Sequence, residues 1–443
     1  MNKNIIRNNY VIYVIIGLFI GGLLSCINYL LFGNISVLSA ILGTFYTGIV
    51  CFILILILLY IFQNKILYPI NILMLFILLF YLSGLINLSS YRGYITVKFW
   101  FLLLIISVCG LLIGNLFGFI TKKKILYTRS IFINKTNIKI ILLVSLISSA
   151  FITLKFGLLL VNPQGRFSVP PILQYLVEFS IPALVLLFNF SNNKRKSMLL
   201  VLFYILVLFS LGYRNQPMIL ILCICLSFFI SKYGQKRYKS KKSIINISLI
   251  ASIILVVFSF LYVIRIQTSE NLYKFDRMVS YYNVQYPQFT LMLLPLHLQS
   301  REAMGVTEVA LERESQLKEF INPKQLFFQD IWTLMPGNQI SAGNVLGIVV
   351  NLNKNVSLTP GLLGGLYISF GIWGILIFFL VLGIIISKVW YKYRITKSPY
   401  YLTIVCLITS YTLELINRGL FKPMYILVFI VLRLCIKKVK NNL

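Results

Sequence analysis

Two carboxylates, Glu178 and Glu414, lie inside otherwise apolar stretches of this chain. Ionisable side chains are costly at membrane depth, so each is a candidate proton acceptor. The single histidine, His297, adds a base that titrates near neutral pH. Four arginines complete the set. Arg166 sits in 162–170 (NPQGRFSVP), Arg214 in the tight turn 211–217 (LGYRNQP), Arg265 at the end of an apolar run, and Arg418 in the segment LELINRGLFKP. A guanidinium is a planar, permanent cation whose fork matches phosphate oxygens. Arginines converging with a carboxylate or an imidazole can displace a phosphate leaving group. The forks neutralise the departing oxygens while the base takes a proton.

Each of these residues also has a plainer reading. Single arginines at helix ends snorkel to lipid headgroups. Glu414 and Arg418 stand four apart on one helix and can simply pair. Glu178 has no basic neighbour in sequence, so its partner comes from another helix or it is held protonated by desolvation. His297 can be a hydrogen-bonded residue on an apolar helix, and one histidine cannot build a metal site. The seven cysteines fall within or at the ends of apolar segments, where they read as small packing residues rather than disulfide or metal partners. Walker, dinucleotide and metal-ligand motifs are absent, which excludes an ATP-driven pump and an obvious metalloenzyme.

The elements that must position these groups are apolar helices. Hydrophobic residues make up 59% of 443 and charged residues 12%, half the share of a soluble domain. Apolar runs long enough to cross a bilayer recur along the chain. They are continuous rather than alternating, so the fold class is an all-α polytopic membrane protein and not a β-barrel. We expect about twelve spans, at 11–32, 40–62, 66–88, 98–120, 138–161, 171–190, 198–212, 216–231, 244–265, 359–386, 400–417 and 421–436. The first, after Lys3 and Arg7, reads as a retained helix rather than a cleaved leader.

The net charge of +31 does not point to nucleic acid, because the lysines and arginines gather in short loops between apolar runs. With both termini placed in the cytoplasm, the inside loops collect Lys122–Lys124, Lys194–Lys196, the run 232–242 and the run 388–397, and no acidic residue. The polar stretch after the ninth span is then external. It holds eight of the ten acidic residues and His297. The chain divides into a bundle of spans one to nine (1–265), a large external loop (266–358) and a bundle of spans ten to twelve (359–443). Within the loop, 302–320 reads as a surface helix ended before Pro323, and 286–299 reads as an interfacial segment or one packed on the bundle mouth. All four arginines face the same side as this loop.

Two segments carry a resemblance. Residues 358–374, LTPGLLGGLYISFGIWG, resemble the glycine-rich helix that follows the large external loop in the Wzy-type polymerases of O-antigen and capsule repeat units. Residues 208–223, LFSLGYRNQPMILILC, resemble the short helix pair of that family, broken by a Gly-x-Arg turn. The last pair of spans, with Arg418, fits the same plan.

The resemblance implies a GT-C-like, membrane-embedded, inverting glycosyltransferase in the bacterial cytoplasmic (inner) membrane. It would move a growing glycan from undecaprenyl pyrophosphate to a sugar hydroxyl on another lipid-linked unit, in O-antigen or capsule synthesis. No cofactor, metal or nucleotide sugar is implied. The implied partners are the undecaprenyl-pyrophosphate-linked oligosaccharide and membrane lipid, with a flippase and a chain-length regulator alongside. Arg214, with Arg166, Arg265 and Arg418, would hold the pyrophosphate, and His297 or a carboxylate such as Glu414 or Glu178 would be the base. Three other readings stand beside this one. A lipid-linked oligosaccharide flippase or other transporter suits twelve spans, although transporters show repeated halves. A ligase shares the same layout. A structural membrane protein would leave the buried charges without a task.

Overall fold

The computed structural model describes residues 68–86, 89–120, 131–157, 159, 168–212, 215–233, 280–284, 294–333, 340–351 and 356–438. The spans expected at 11–32, 40–62 and 244–265 lie outside them. The other nine expected spans all coincide with helices. These are α1 (Pro69–Leu85), α2 (Val97–Ile120), α3 (Lys135–Phe156), the pair α4 (Pro171–Glu178) and α5 (Ser180–Phe190), α6 (Lys194–Ser210) and α7 (Asn215–Tyr233). After the polar stretch come α12 (Gly361–Thr396), α13 (Pro399–Arg418) and α14 (Met424–Leu434). Among the described residues, five segments are long and apolar enough to cross a membrane: α2, α3, α4 with α5, α12 and α13.

Local chemistry sets the helix ends. Proline opens α1, α4 and α13 at the first helical position, where a missing N–H costs nothing. Asn134 and Asn193 cap α3 and α6, their side-chain oxygens accepting from Asn137 N and Lys196 N, each at 3.2 Å. Gly419, at φ 72°, ends α13 in the left-handed region and turns the chain toward α14.

The pair α2 and α12 forms the spine. Gly110, Gly114 and Gly118 repeat every fourth residue on α2 and meet α12 backbone at Leu376, Leu380 and Ile384. A Cβ on Gly383 of α12 would in turn stand 2.6 Å from Leu111 O. In lipid, where apolar burial drives little helix association, such small-residue seams let backbones touch. Near the α2 C-terminus the seam closes on polar contacts. Ser387 Oγ donates to Asn115 Oδ1 at 2.6 Å, and Tyr68 OH also donates to Asn115. The second polar junction ties α5, α7 and α13 together: Asn189 Nδ2 donates to Ser227 Oγ (3.1 Å) and Thr403 Oγ1 (2.9 Å).

The expected glycine-rich span is a broken helix. Gly371 stands at φ 66°, ψ −158°, so α12 is two helical segments meeting at a kink. The first, 361–370, packs closely against residues 303–307 and the turn at Gly419. A Cβ at Gly364 would collide with Thr307, and one at Gly365 with the Gly419 carbonyl. These glycines serve close approach, not flexibility.

The polar stretch differs from expectation. The helix begins at Leu294 rather than 302 and divides into α8 (Leu294–Glu312) and α9 (Glu314–Phe320). It is not a surface helix. Ala303, Met304, Val306, Thr307 and Ala310 are all buried, forming a face packed on α1 and α12. The short apolar face hidden among charged residues explains the misreading. The part of 286–299 within the described residues, 294–299, is the first turn of α8. A 3-10 turn (Pro323–Phe328), α10 (Gln329–Trp332) and α11 (Ala342–Asn351) complete the cap. A ribbon the sequence reading lacks, β1 (Ile131–Ile133) antiparallel to β2 (Ile436–Lys438), ties the start of α3 to the end of α14.

Candidate functional site

Glu414 lies on the last turn but one of α13, its side chain 8% exposed. Two donors converge on its Oε1, Lys422 Nζ at 2.8 Å and Asn215 Nδ2 at 3.3 Å, and Arg418 pairs with it by charge, Nε lying 3.2 Å away. The α-helical spacing brings Arg418 over Glu414, and the Gly419 turn folds Lys422 back onto the same oxygen. A buried carboxylate needs such compensation, since removing its partners leaves an unpaired charge. Both cations keep capacity for more. The Arg418 side chain is 36% exposed and the Lys422 side chain 20%. Among the described residues no hydrogen bond takes up the terminal nitrogens of Arg418.

Glu178 ends α4 and is buried. Its direct partner is neutral: Gln216 Nε2 donates to Glu178 Oε1 at 2.5 Å. Lys422, Glu414 and Arg418 are near enough to act on it through charge. Asn215 and Gln216 open α7, so one helix N-terminus reaches both carboxylates. Asp330 in the cap feels Lys422 and Arg418 as well, and accepts from Ala342 N at 3.0 Å, fixing the start of α11. Burial pushes the Asp330 carboxyl above the usual range, against the pull of that N–H and the two cations. Tyr411 and Tyr425 flank the carboxylates, their rings 5.8 Å apart.

The described structure thus brings Glu178, Glu414 and Arg418 together. Arg166, Arg214 and Arg265 lie outside the described residues; Arg214 immediately precedes Asn215 in the chain. His297 belongs to a different set of contacts. It is fully buried on α8, with Nδ1 2.7 Å from Ser83 O and Nε2 3.0 Å from Ser89 Oγ. A carbonyl only accepts, so Nδ1 carries the proton and Nε2 accepts from Ser89. Burial lowers its pKa, which keeps the ring neutral.

Lys422 was not among the sequence candidates. It stands eight residues after Glu414, a spacing that means contact only once the left-handed turn at Gly419 is known. Asn215 and Gln216 had a signal, two amides at the head of an apolar helix beside Arg214.

A family profile described as Putative O-antigen polymerase matches residues 65–430. The chain belongs to this family. No curated protein and no solved structure gives a match. The O-antigen polymerase match runs from α1 into α14 and includes every member of the Glu178–Glu414 cluster. Membership sets a broad role in O-antigen polymerisation, as a multi-pass membrane protein acting on a lipid-linked oligosaccharide.

Proposed function

We propose that the chain is an inverting glycosyltransferase that lengthens lipid-linked repeat units at the outer face of the bacterial cytoplasmic membrane. It would adopt a GT-C-like bundle of about twelve spans, with both termini inside and 266–358 outside. The charge asymmetry of the loops supports that orientation. One observation carries the reading: two cations with spare donor capacity share a buried acid, beside a second acid whose direct partner among the described residues is an amide.

The roles follow from that geometry. Arg418 and Lys422 neutralise the pyrophosphate as it leaves, in a low-dielectric mouth where such charge counts most. Glu414 is held by two hydrogen-bond donors and the charge of Arg418, so it positions the two cations instead of taking protons. Glu178 takes the proton of the acceptor hydroxyl. The new glycosidic C–O bond forms as the anomeric C–O(phosphate) bond breaks, and the electron pair leaves on the pyrophosphate. Arg214, one peptide bond from Asn215, joins the phosphate clamp; Arg166 and Arg265 are further candidates for it. His297, engaged at both ring nitrogens, pins α8 to the end of α1 and the segment after it. A flippase and a chain-length regulator are the expected companions.

Deletion in the host tests the reading. Loss of a polymerase leaves single repeat units capped on the surface lipid. Units trapped inside would instead mean a flippase, and long chains left on the carrier a ligase.

A further inference from the structure

Tyr411 is 6% exposed, and its hydroxyl oxygen is buried without a hydrogen-bond partner among the described residues. The hydroxyl of Tyr425, whose ring packs on Tyr411, is likewise buried without a partner among the described residues, whereas buried phenols away from the carboxylates are satisfied. Tyr81 OH accepts from Leu363 N at 2.9 Å, and Tyr204 OH donates to Leu142 O at 2.8 Å. Burying a hydroxyl with nothing to bond is unfavourable, so two such phenols in contact beside the carboxylates need a reason.

Their place supplies one. Tyr411 precedes Glu414 on α13 by one helical turn, and its hydroxyl lies in the field of Glu178, Glu414 and Tyr425. Its ring packs against Tyr425 with planes at 67°, which fixes its direction. Gln216 already occupies one oxygen of Glu178. A phenol held in this way, with an O–H to give and lone pairs to receive, suits a ligand that both donates and accepts. A sugar hydroxyl does both, whereas a phosphate oxygen only accepts.

We infer that Tyr411 is an acceptor-binding residue: its hydroxyl takes the acceptor sugar hydroxyl and turns that group's O–H toward Glu178. The inference rests on the proposed role of Glu178 and deepens it. It assigns the acceptor side of the reaction to the α4–α13 face of the cluster, and the donor pyrophosphate to the Arg418–Lys422 side.

The test is Tyr411→Phe in the full-length protein, reconstituted in vesicles with a lipid-linked repeat unit. The substitution removes one oxygen and leaves the ring. Three quantities are measured: thermal stability, the stabilisation given by undecaprenyl pyrophosphate alone, and kcat/KM for chain extension. Glu178→Gln is measured alongside. The expected result is stability equal to or above that of the parent, an unchanged response to undecaprenyl pyrophosphate, and an extension rate lower by about tenfold or more, the scale of one lost hydrogen bond. A merely unsatisfied core hydroxyl would give the same stability with unchanged extension, which overturns the inference. If extension persists in Tyr411→Phe while Glu178→Gln has lost it, the inference fails and the base assignment stands. If both variants extend normally, both fail.

Discussion

Two polar regions sit at one end of this bundle, and they are built in opposite ways. In the cap, the buried and half-buried charges are used up. Glu308 accepts from Thr96 N at 2.8 Å and Trp100 Nε1 at 2.9 Å. Arg301 donates to Tyr91 O at 3.0 Å and to Gly93 O. Arg313 donates to Val349 O at 2.9 Å, and His297 is engaged at both nitrogens. These side chains close off backbone groups that the loop 89–96 and its neighbours would otherwise bury unpaired. In the α13 cluster the charges instead meet one another and leave the cations open. Charge density marks neither region as functional; spare bonding capacity distinguishes them.

Variants that treat the two regions alike will show whether that contrast holds. The largest effect is expected from Lys422→Met. Arg418 still pairs Glu414, so the fold is kept, while extension of lipid-linked units in vesicles falls by about 10²-fold, as for loss of one oxyanion donor. A fall in folded yield with normal activity per folded molecule would move Lys422 into the structural class. In the cap, Glu308→Ala should do the reverse. Losing two hydrogen bonds to a carboxylate lowers stability by about 2 kcal/mol, read as a lower unfolding temperature in detergent, with extension by the folded fraction unchanged.

The smallest effect concerns pH. His297 has its folded pKa below the unfolded 6.5, so its contribution to stability is complete above that value. It is lost as pH falls from there through the lower folded value, because the unfolded chain takes up the proton first. Unfolding temperature measured across this range should drop on the acid side, and His297→Asn should flatten that drop.

Much of the fold was legible because long apolar runs leave few alternatives. The spans at 98–120 and 400–417 fall within three residues of α2 and α13. The Gly110–Gly114–Gly118 repeat that seals the spine is equally visible in the sequence, although its partner helix is not. What escaped depends on tertiary packing. The face 303–310 is short and interrupted by Glu308, so its burial appears only when α1 and α12 stand against it. In the site, the Glu414–Arg418 pair follows from helical spacing, whereas Lys422 needs the turn at Gly419. The meeting of Glu178 with Gln216 joins residues 38 positions apart, across helices whose approach no local pattern encodes.

The central claim is that the chemistry resides in the α4–α13 cluster and not in the polar cap. The most direct measurement compares Glu178→Gln with Glu308→Gln, both purified and reconstituted, by the ladder of chain lengths made from one lipid-linked repeat unit. The account predicts a folded Glu178→Gln protein whose chain growth is down by about 10²-fold or more, in line with a lost general base, and a Glu308→Gln protein that builds the parent's ladder. A normal ladder from Glu178→Gln, or a lost one from a fully folded Glu308→Gln, would contradict it.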